Sequence, residues 1–238
     1  MPTILNIETS SDVCSVAIAR EGELLTEKES SEGLNHSKLL SVFVSDIFKS
    51  AGLDMKSIDA VAVSKGPGSY TGLRIGVSLS KGLCYALDKP LIAVGTLDSL
   101  AEHAIDNVDE YISDVRTDSN LLFCPMIDAR RMEVYTSLYN HKGEKLEPVS
   151  AKIINNNSFK DYLDSHEILF FGNGSAKCQS LITHPNALFR GPLKTSARYM
   201  LKLAEKRFTL NEFEDVAYFE PFYLKDFIAT IPGNKVLK

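Results

Sequence analysis

The sequence predicts an α/β protein of two βββαβα-type halves that face each other across a cleft. Three observations lead there. The first 105 residues alternate short apolar β-type runs with helical runs in the order βββαβα. A glycine-rich turn, Lys65-Gly66-Pro67-Gly68-Ser69-Tyr70-Thr71-Gly72, joins an apolar run at 58–63 to a helix that continues to Leu87. A second strand, at 168–171, runs into Gly172-Asn173-Gly174-Ser175 and a helix from Ala176, which loosely repeats that unit.

In the first half, strands are expected at 3–8, 13–19 and 24–30, with Thr9-Ser10-Ser11-Asp12 as the first hairpin loop and Glu21-Gly22-Glu23 as the second turn. A helix follows from Asn35, its N-cap, to Ala51, closed by Gly52 as C-cap. Its stripe Leu40, Phe43, Val44, Ile47 and Ala51 suits a sheet, and Leu39 and Val42 are left beside His36 for a second contact. In the helix after the glycine-rich turn, Leu73, Ile75, Val77, Leu79, Leu83, Cys84 and Leu87 surround the cylinder, so it should be covered on most sides. Gly72, Gly76 and Ser80 recur every four residues along it. A glycine inside a helix costs about 1 kcal/mol relative to alanine, so this groove asks for close approach by another helix, of this chain or of a partner. Arg74 sits where the helix dipole disfavours a cation by about 0.3–1 kcal/mol, which asks for a carboxylate partner unless the side chain reaches into solvent. After Asp88-Lys89-Pro90 come a strand at 91–94 and a helix capped by Thr96 and running to about Ile105.

The polar, acidic span 106–120 divides the chain into an N-terminal half, 1–105, and a C-terminal half, 106–238; Tyr111, Ile112 and Val115 within it suit a helical turn. The second half opens with strands at 121–127 and 134–139, turned at Asp128-Ala129-Arg130-Arg131 and ended at His141-Lys142-Gly143. The cluster Asp128, Arg130 and Arg131 reads either as a charged hairpin tip or as a phosphate-binding or catalytic group. Helical stretches are expected at 159–163 and, amphipathic, at 195–208; the tail 216–224 packs back as an extended segment, and 236–238 frays.

Hydrophobic and charged contents of 44% and 24% are those of an ordinary soluble globular protein. No basic-then-apolar leader and no apolar run approaching about 20 residues is present, which points to the cytoplasm and away from a membrane. Cys14, Cys84, Cys124 and Cys178 stand far apart, as buried small hydrophobes and not as a disulfide or zinc framework. A net charge of −5 argues against this chain gripping an RNA backbone alone. The glycine-rich turn is no Walker A loop, lacking the Lys-Ser/Thr ending, and its third glycine falls wrongly for the Rossmann spacing. With Ser69 or Thr71 as N-cap it suits a phosphate, and it equally suits a tight structural turn. No His or Cys pair has helical metal spacing, and no Ser-His-Asp or G-x-S-x-G context exists.

Gly66-Pro67-Gly68-Ser69-Tyr70-Thr71-Gly72-Leu73-Arg74-Ile75-Gly76 closely resembles the signature of the TsaB family, also called YeaZ, of bacterial tRNA threonylcarbamoyladenosine biosynthesis proteins. The resemblance continues at Ile4-Leu5-Asn6-Ile7-Glu8-Thr9-Ser10, Asn35-His36-Ser37-Lys38-Leu39-Leu40 and Ile127-Asp128-Ala129-Arg130-Arg131, with weaker echoes at Gly172-Asn173-Gly174 and Pro221-Phe222-Tyr223-Leu224. It implies the actin/sugar-kinase/Hsp70 superfamily fold, with ribonuclease H-like halves. In that superfamily the first hairpin holds phosphate behind an aspartate, and here Glu8 takes that place. Thr9, Ser10, Gly172 and Gly174 are the implied vestigial cofactor positions; ordinary hairpin polarity is the other reading of Thr9, Ser10 and Ser11.

The resemblance further implies a non-catalytic subunit that heterodimerises with catalytic TsaD, with the ATPase TsaE joining and tRNA met only through the complex. The implied interface is His36, Leu39, Leu40 and Phe43 on the first helix and Gly72, Leu73, Gly76, Val77 and Ser80 on the signature helix. The same surface would serve a homodimer of the isolated chain. The two metal-binding histidines of TsaD align with Thr96 and Leu100, and leucine cannot bind a metal, so no metal and no catalytic residue are expected. The isolated chain is expected to need no cofactor, with weak or complex-dependent ATP or ADP binding left open. The alternatives are an autonomous nucleotide-binding enzyme of the sugar-kinase superfamily and a glycoprotease-type peptidase.

Overall fold

A computed structural model of the chain describes residues 2–32, 35–112 and 120–225. The first lobe holds β1 (Thr3–Glu8), β2 (Cys14–Arg20), β3 (Glu23–Ser30), α1 (His36–Ala51), β4 (Ala60–Gly66), α2 (Tyr70–Leu87), β5 (Leu91–Gly95) and α3 (Thr96–Asp106). After the single turn α4 (Val108–Tyr111), the second lobe holds β6 (Leu121–Asp128), β7 (Glu133–Tyr139), β8 (Lys145–Ile153), α5 (Lys160–Leu163), β9 (Glu167–Phe171), β10 (Ala187–Phe189) and α6 (Leu201–Thr209). The sheets have the orders β3-β2-β1-β4-β5 and β10-β9-β6-β7-β8. Each combines an antiparallel three-strand meander with parallel strands beside its first strand. The two lobes thus repeat one topology, that of the actin/sugar-kinase architecture.

Every residue of β1 is buried, because both faces of its sheet are covered. On one face Leu5, Ile7, Val16, Ile18, Val61 and Val63 meet Leu40, Phe43, Val44 and Ile47 of α1 and Val77 and Cys84 of α2. On the other, Ile4, Ala60, Ala62, Ile92 and Val94 meet Met200 and Ala204, and Ala17 and Ala19 meet Ala197 and Leu201. Helix α6 therefore covers the N-terminal sheet. In return α3 places Leu97, Leu100, Ala101 and Ala104 against Phe123, Ile127, Leu169 and Phe171 of the second sheet. The lobes exchange helices, and the alanine-rich face of the first sheet leaves room for α6 to lie close.

Several expectations are corrected. The helix from Ala176 is a single 3-10 turn, Ala176–Cys178, so the second lobe repeats the strands of the first but not its signature helix. Gly95, not Thr96, is the N-cap of α3, and Thr96 is its first, buried residue. The amphipathic segment at 195–208 begins as a 3-10 turn, Ala197–Met200, before α6. Asn35 holds the N-cap position of α1 without a side-chain bond, whereas Gly52 closes that helix in the left-handed conformation, as expected. Strands β8 and β10 carry no clean alternation in sequence. Val115 and 236–238 lie outside the described residues.

Candidate functional site at the first hairpin and the signature helix

Ser69 caps α2: its Oγ accepts from the Gly72 amide at 3.3 Å and its carbonyl from the Leu73 amide at 2.9 Å. The Ser69 amide donates to the Ser10 carbonyl at 2.6 Å, so the loop after β1 sits on the helix N-terminus. A Cβ on Gly68 would lie 2.2 Å from Ser10 O, on Gly72 2.1 Å from Thr9 O, and on Gly76 2.2 Å from Thr9 Oγ1. The four-residue glycine spacing is therefore a track for the chain's own first hairpin loop. This corrects the expectation of a partner helix in that groove: Gly72, Gly76 and Ser80 are buried, and Ser80 Oγ donates to Gly76 O at 2.8 Å. Ser69→Ala is expected to cost about 1 kcal/mol of stability, read by urea denaturation, as loss of a serine cap does.

Thr9 and Ser10 are fully buried. Their neighbour Glu8 is too; its Oε1 accepts from the Ser10 amide at 2.5 Å and from Ser64 Oγ at 3.0 Å. Burial pushes the Glu8 carboxyl up, against the lowering effect of those hydrogen bonds. Glu8 Oε2, Thr9 Oγ1 and Ser10 Oγ have no hydrogen-bond partner among the described residues. The Ser69, Gly72 and Leu73 amides beside this loop are satisfied within the chain.

In the matching turn of the second lobe, a Cβ on Gly172 would meet Met126 O at 2.4 Å and one on Gly174 would meet Asp128 N at 2.9 Å, so both glycines admit the backbone of the neighbouring strand. Asp128 Oδ1 accepts from the Arg130 amide at 2.7 Å and from Lys177 Nζ at 2.6 Å. Lys177 also ties the Arg131 and Glu133 carbonyls, both at 2.7 Å. The cluster is thus a charged hairpin tip, with Arg130 and Arg131 in left-handed backbone at φ of 70° and 50°.

The other sequence-predicted residues divide by face. His36 is buried, 3.1 Å from Nε2 to the Val13 carbonyl; Leu40, Phe43, Leu73 and Val77 are core. Leu39 is half-buried and packs against the core, whereas Val42 is 50% exposed and points outward from α1, without His36. On α2 the outward stripe is Ser78, Gly82 and Tyr85, the last 87% exposed, and a Cβ on Gly82 would meet nothing within 4 Å. Arg74 has aromatic partners in direct contact, with the Glu220 carboxylate acting on it only through its charge: its guanidinium lies 4.2 Å from the Tyr70 ring centroid and its Nε donates to Tyr223 Oη at 3.3 Å.

Sequence reasoning passed over Gly82, whose signal was a third α2 glycine out of step with Gly72 and Gly76. It also missed Asp98, which lines a cleft of about 220 Å³ with Gly95, Glu102, Tyr139, Lys145 and Arg207. Burial opposes ionisation of Asp98, but Tyr139 Oη at 2.7 Å and Lys145 Nζ at 2.9 Å hold its carboxyl below the usual value. Asp98 of the first lobe is thus paired with Tyr139 and Lys145 of the second and joins the lobes. Among the described residues no group of three His, Cys, Asp or Glu side chains could hold a metal ion, and no helix is long and apolar enough to cross a membrane.

Residues 28–232 match the family described as TsaD, tRNA N6-adenosine threonylcarbamoyltransferase. A Bacillus subtilis protein named tRNA threonylcarbamoyladenosine biosynthesis protein TsaB is 32% identical over 230 residues, 94% of each chain. The chain belongs to the TsaB family. The Haemophilus influenzae protein of the same name is 28% identical over 244 residues, 98% of each chain. A solved structure of YeaZ from Pseudomonas aeruginosa superposes with a TM-score of 0.79 at 27% identity, over 94% of this chain and all of that one. Within this TsaB-family chain the signature therefore has a structural explanation: it is the track on which the first hairpin loop rests.

Proposed function

We propose that this TsaB-family chain serves tRNA threonylcarbamoyladenosine synthesis as a non-catalytic subunit that pairs with a TsaD-type catalytic subunit through the outward face of α1 and α2. The observation that carries the reading is that face itself. Val42 and Tyr85 are exposed there, and Gly82 stands in a helix interior with open space at its Cβ. A mid-helix glycine costs about 1 kcal/mol, and no described residue of this chain uses the room it leaves. A partner helix at close approach would use it. The match to the threonylcarbamoyltransferase family supports a partner of that kind, since related chains of one fold offer related faces. Thr96 and Leu100, which take the places of the transferase's histidine pair, are buried against the lobe junction and offer no ligand set. On this reading the isolated chain works without cofactor or metal, a TsaE-type ATPase joins the assembly, and tRNA is met through the complex.

The test is pairing of the purified chain with a TsaD-type subunit, followed by size exclusion and titration. Gly82→Leu should melt no lower than wild type, because leucine is the better helix former by most of a kcal/mol. It should lose about thirtyfold in affinity, the equivalent of about 2 kcal/mol for a central interface position. Normal pairing by both Gly82→Leu and Tyr85→Glu would put the contact elsewhere.

A further inference from the structure

The segment after α6 runs back along α2 and then leaves the first lobe. Glu214 begins it with a bond from its amide to the Leu91 carbonyl at 2.9 Å, beside the edge strand β5. Lys81 Nζ on α2 holds the Ala217 and Phe219 carbonyls at 3.0 and 3.1 Å. The Phe222 amide donates to the Lys65 carbonyl at 2.7 Å, and a Cβ on Gly66 would lie 2.8 Å from Phe222 O. Tyr223 packs tilted against Tyr70, with ring centroids 4.8 Å apart and planes at 39°, and receives Arg74 on its hydroxyl. Two residues on, Lys225 forms an ion pair with Glu133 at the start of β7 in the second lobe. Its ammonium also lies 5.9 Å from the Tyr135 ring centroid.

We infer that 220–225 is an interlobe latch, anchored on the signature turn and α2 by Phe222 and Tyr223 and bolted to the β6–β7 hairpin by Lys225. Three features favour a latch over a passive tail. Its two ends grip different lobes within four residues, too short a span for either end to shift independently. The first-lobe anchor is backbone and aromatic, hence fixed in register, whereas the second-lobe bolt is one partly exposed ion pair, which solvent and salt weaken readily. The signature leaves room for it, since any side chain at Gly66 would displace the Phe222 carbonyl. The latch thus joins the helix bearing the exposed face to the hairpin tip of the other lobe. Opening it is a discrete event at the bolt.

Hydrogen exchange on the full chain tests this, because local opening sets the exchange rate of each amide. Among the described residues the Lys225 ammonium pairs with the second lobe, yet Lys225→Met should speed exchange of the Phe222 amide on the first lobe by about fivefold, the equivalent of about 1 kcal/mol. Tyr223→Ala should in turn speed exchange of the Ala129 and Glu133 amides in the hairpin. Raising salt from about 0.1 to about 1 M, which shortens the screening length from about 10 to about 3 Å, should act on wild type as Lys225→Met does and add little to that variant. Salt needs no substitution, so the test survives a variant that folds badly. Exchange at Phe222 within about twofold of wild type, in both Lys225→Met and high salt, overturns the latch and leaves each end a local contact.

Discussion

Gly72→Ala is expected to lower the melting temperature by roughly 4–12 °C. The new Cβ would stand 2.1 Å from the Thr9 carbonyl oxygen, a backbone atom that no side-chain rotation can move. Thr9 is fully buried, and its loop is held to α2 by the bond from the Ser69 amide to the Ser10 carbonyl. Either α2 lifts from the sheet or the loop is displaced, and both disturb the packing of Leu73 and Val77. Overpacking costs about 1–3 kcal/mol, and a backbone clash belongs at the upper end. At about 2–4 °C per kcal/mol for a chain of this size, about 2–3 kcal/mol net of the gain in helix propensity, itself less than about 1 kcal/mol, gives the stated fall. Gly76→Leu should do more harm still, because Thr9 Oγ1 lies 2.2 Å from the first added atom and three further carbons follow. Calorimetry of the three glycine variants separates the roles: Gly72→Ala and Gly76→Leu fall, whereas Gly82→Leu does not. A Gly72→Ala protein melting within about 2 °C of wild type would mean that the first hairpin loop is not held against α2 as described.

Glu8→Gln is expected to change how stability depends on pH. The Glu8 carboxyl is fully buried and burial raises its pKa above the ordinary 4.5. Raised in the folded state, it favours the protonated form there. Its contribution is therefore fully present below the unfolded-state pKa and is lost as pH climbs from about 4.5 through the folded value, with a slope of up to about 1.4 kcal/mol per pH unit. Glutamine keeps an acceptor for the Ser10 amide and Ser64 hydroxyl but cannot ionise. Urea denaturation from pH 4.5 upward should show wild type losing stability relative to Glu8→Gln until the folded carboxyl has ionised. Parallel profiles for the two proteins would show that the carboxyl is not held neutral by its surroundings.

The buried Glu8 also explains why the first hairpin reads ambiguously in sequence. A carboxylate followed by Thr9, Ser10 and Ser11 has the same composition whether the loop holds phosphate or is packed under a helix. The distinction lies in where the amides of Ser69, Gly72 and Leu73 point, which depends on contacts between segments some 60 residues apart in the chain. The glycine track is a similar case. Its four-residue period announces close approach, but whether the approaching group is a helix, a loop or another chain is a tertiary fact.

What the sequence by itself determined is the ladder of elements in the first lobe, an N-cap at Ser69 or Thr71, the C-cap at Gly52, the sheet-facing stripe of α1 and the family. These rest on local periodicity, backbone conformation and an eleven-residue signature, all carried by neighbouring residues. Only the tertiary structure decided that α6 crosses to cover the first sheet while α3 covers the second. Both helices are amphipathic, and an amphipathic stripe does not say which of two similar sheets it will bury against. The same holds for the faces of α2: Gly76 and Gly82 are alike in sequence, and burial of one under Thr9 leaves only the other open. Arg74 belongs to this class too, since its partner Tyr223 comes from 149 residues away, where sequence separation carries no sign of contact.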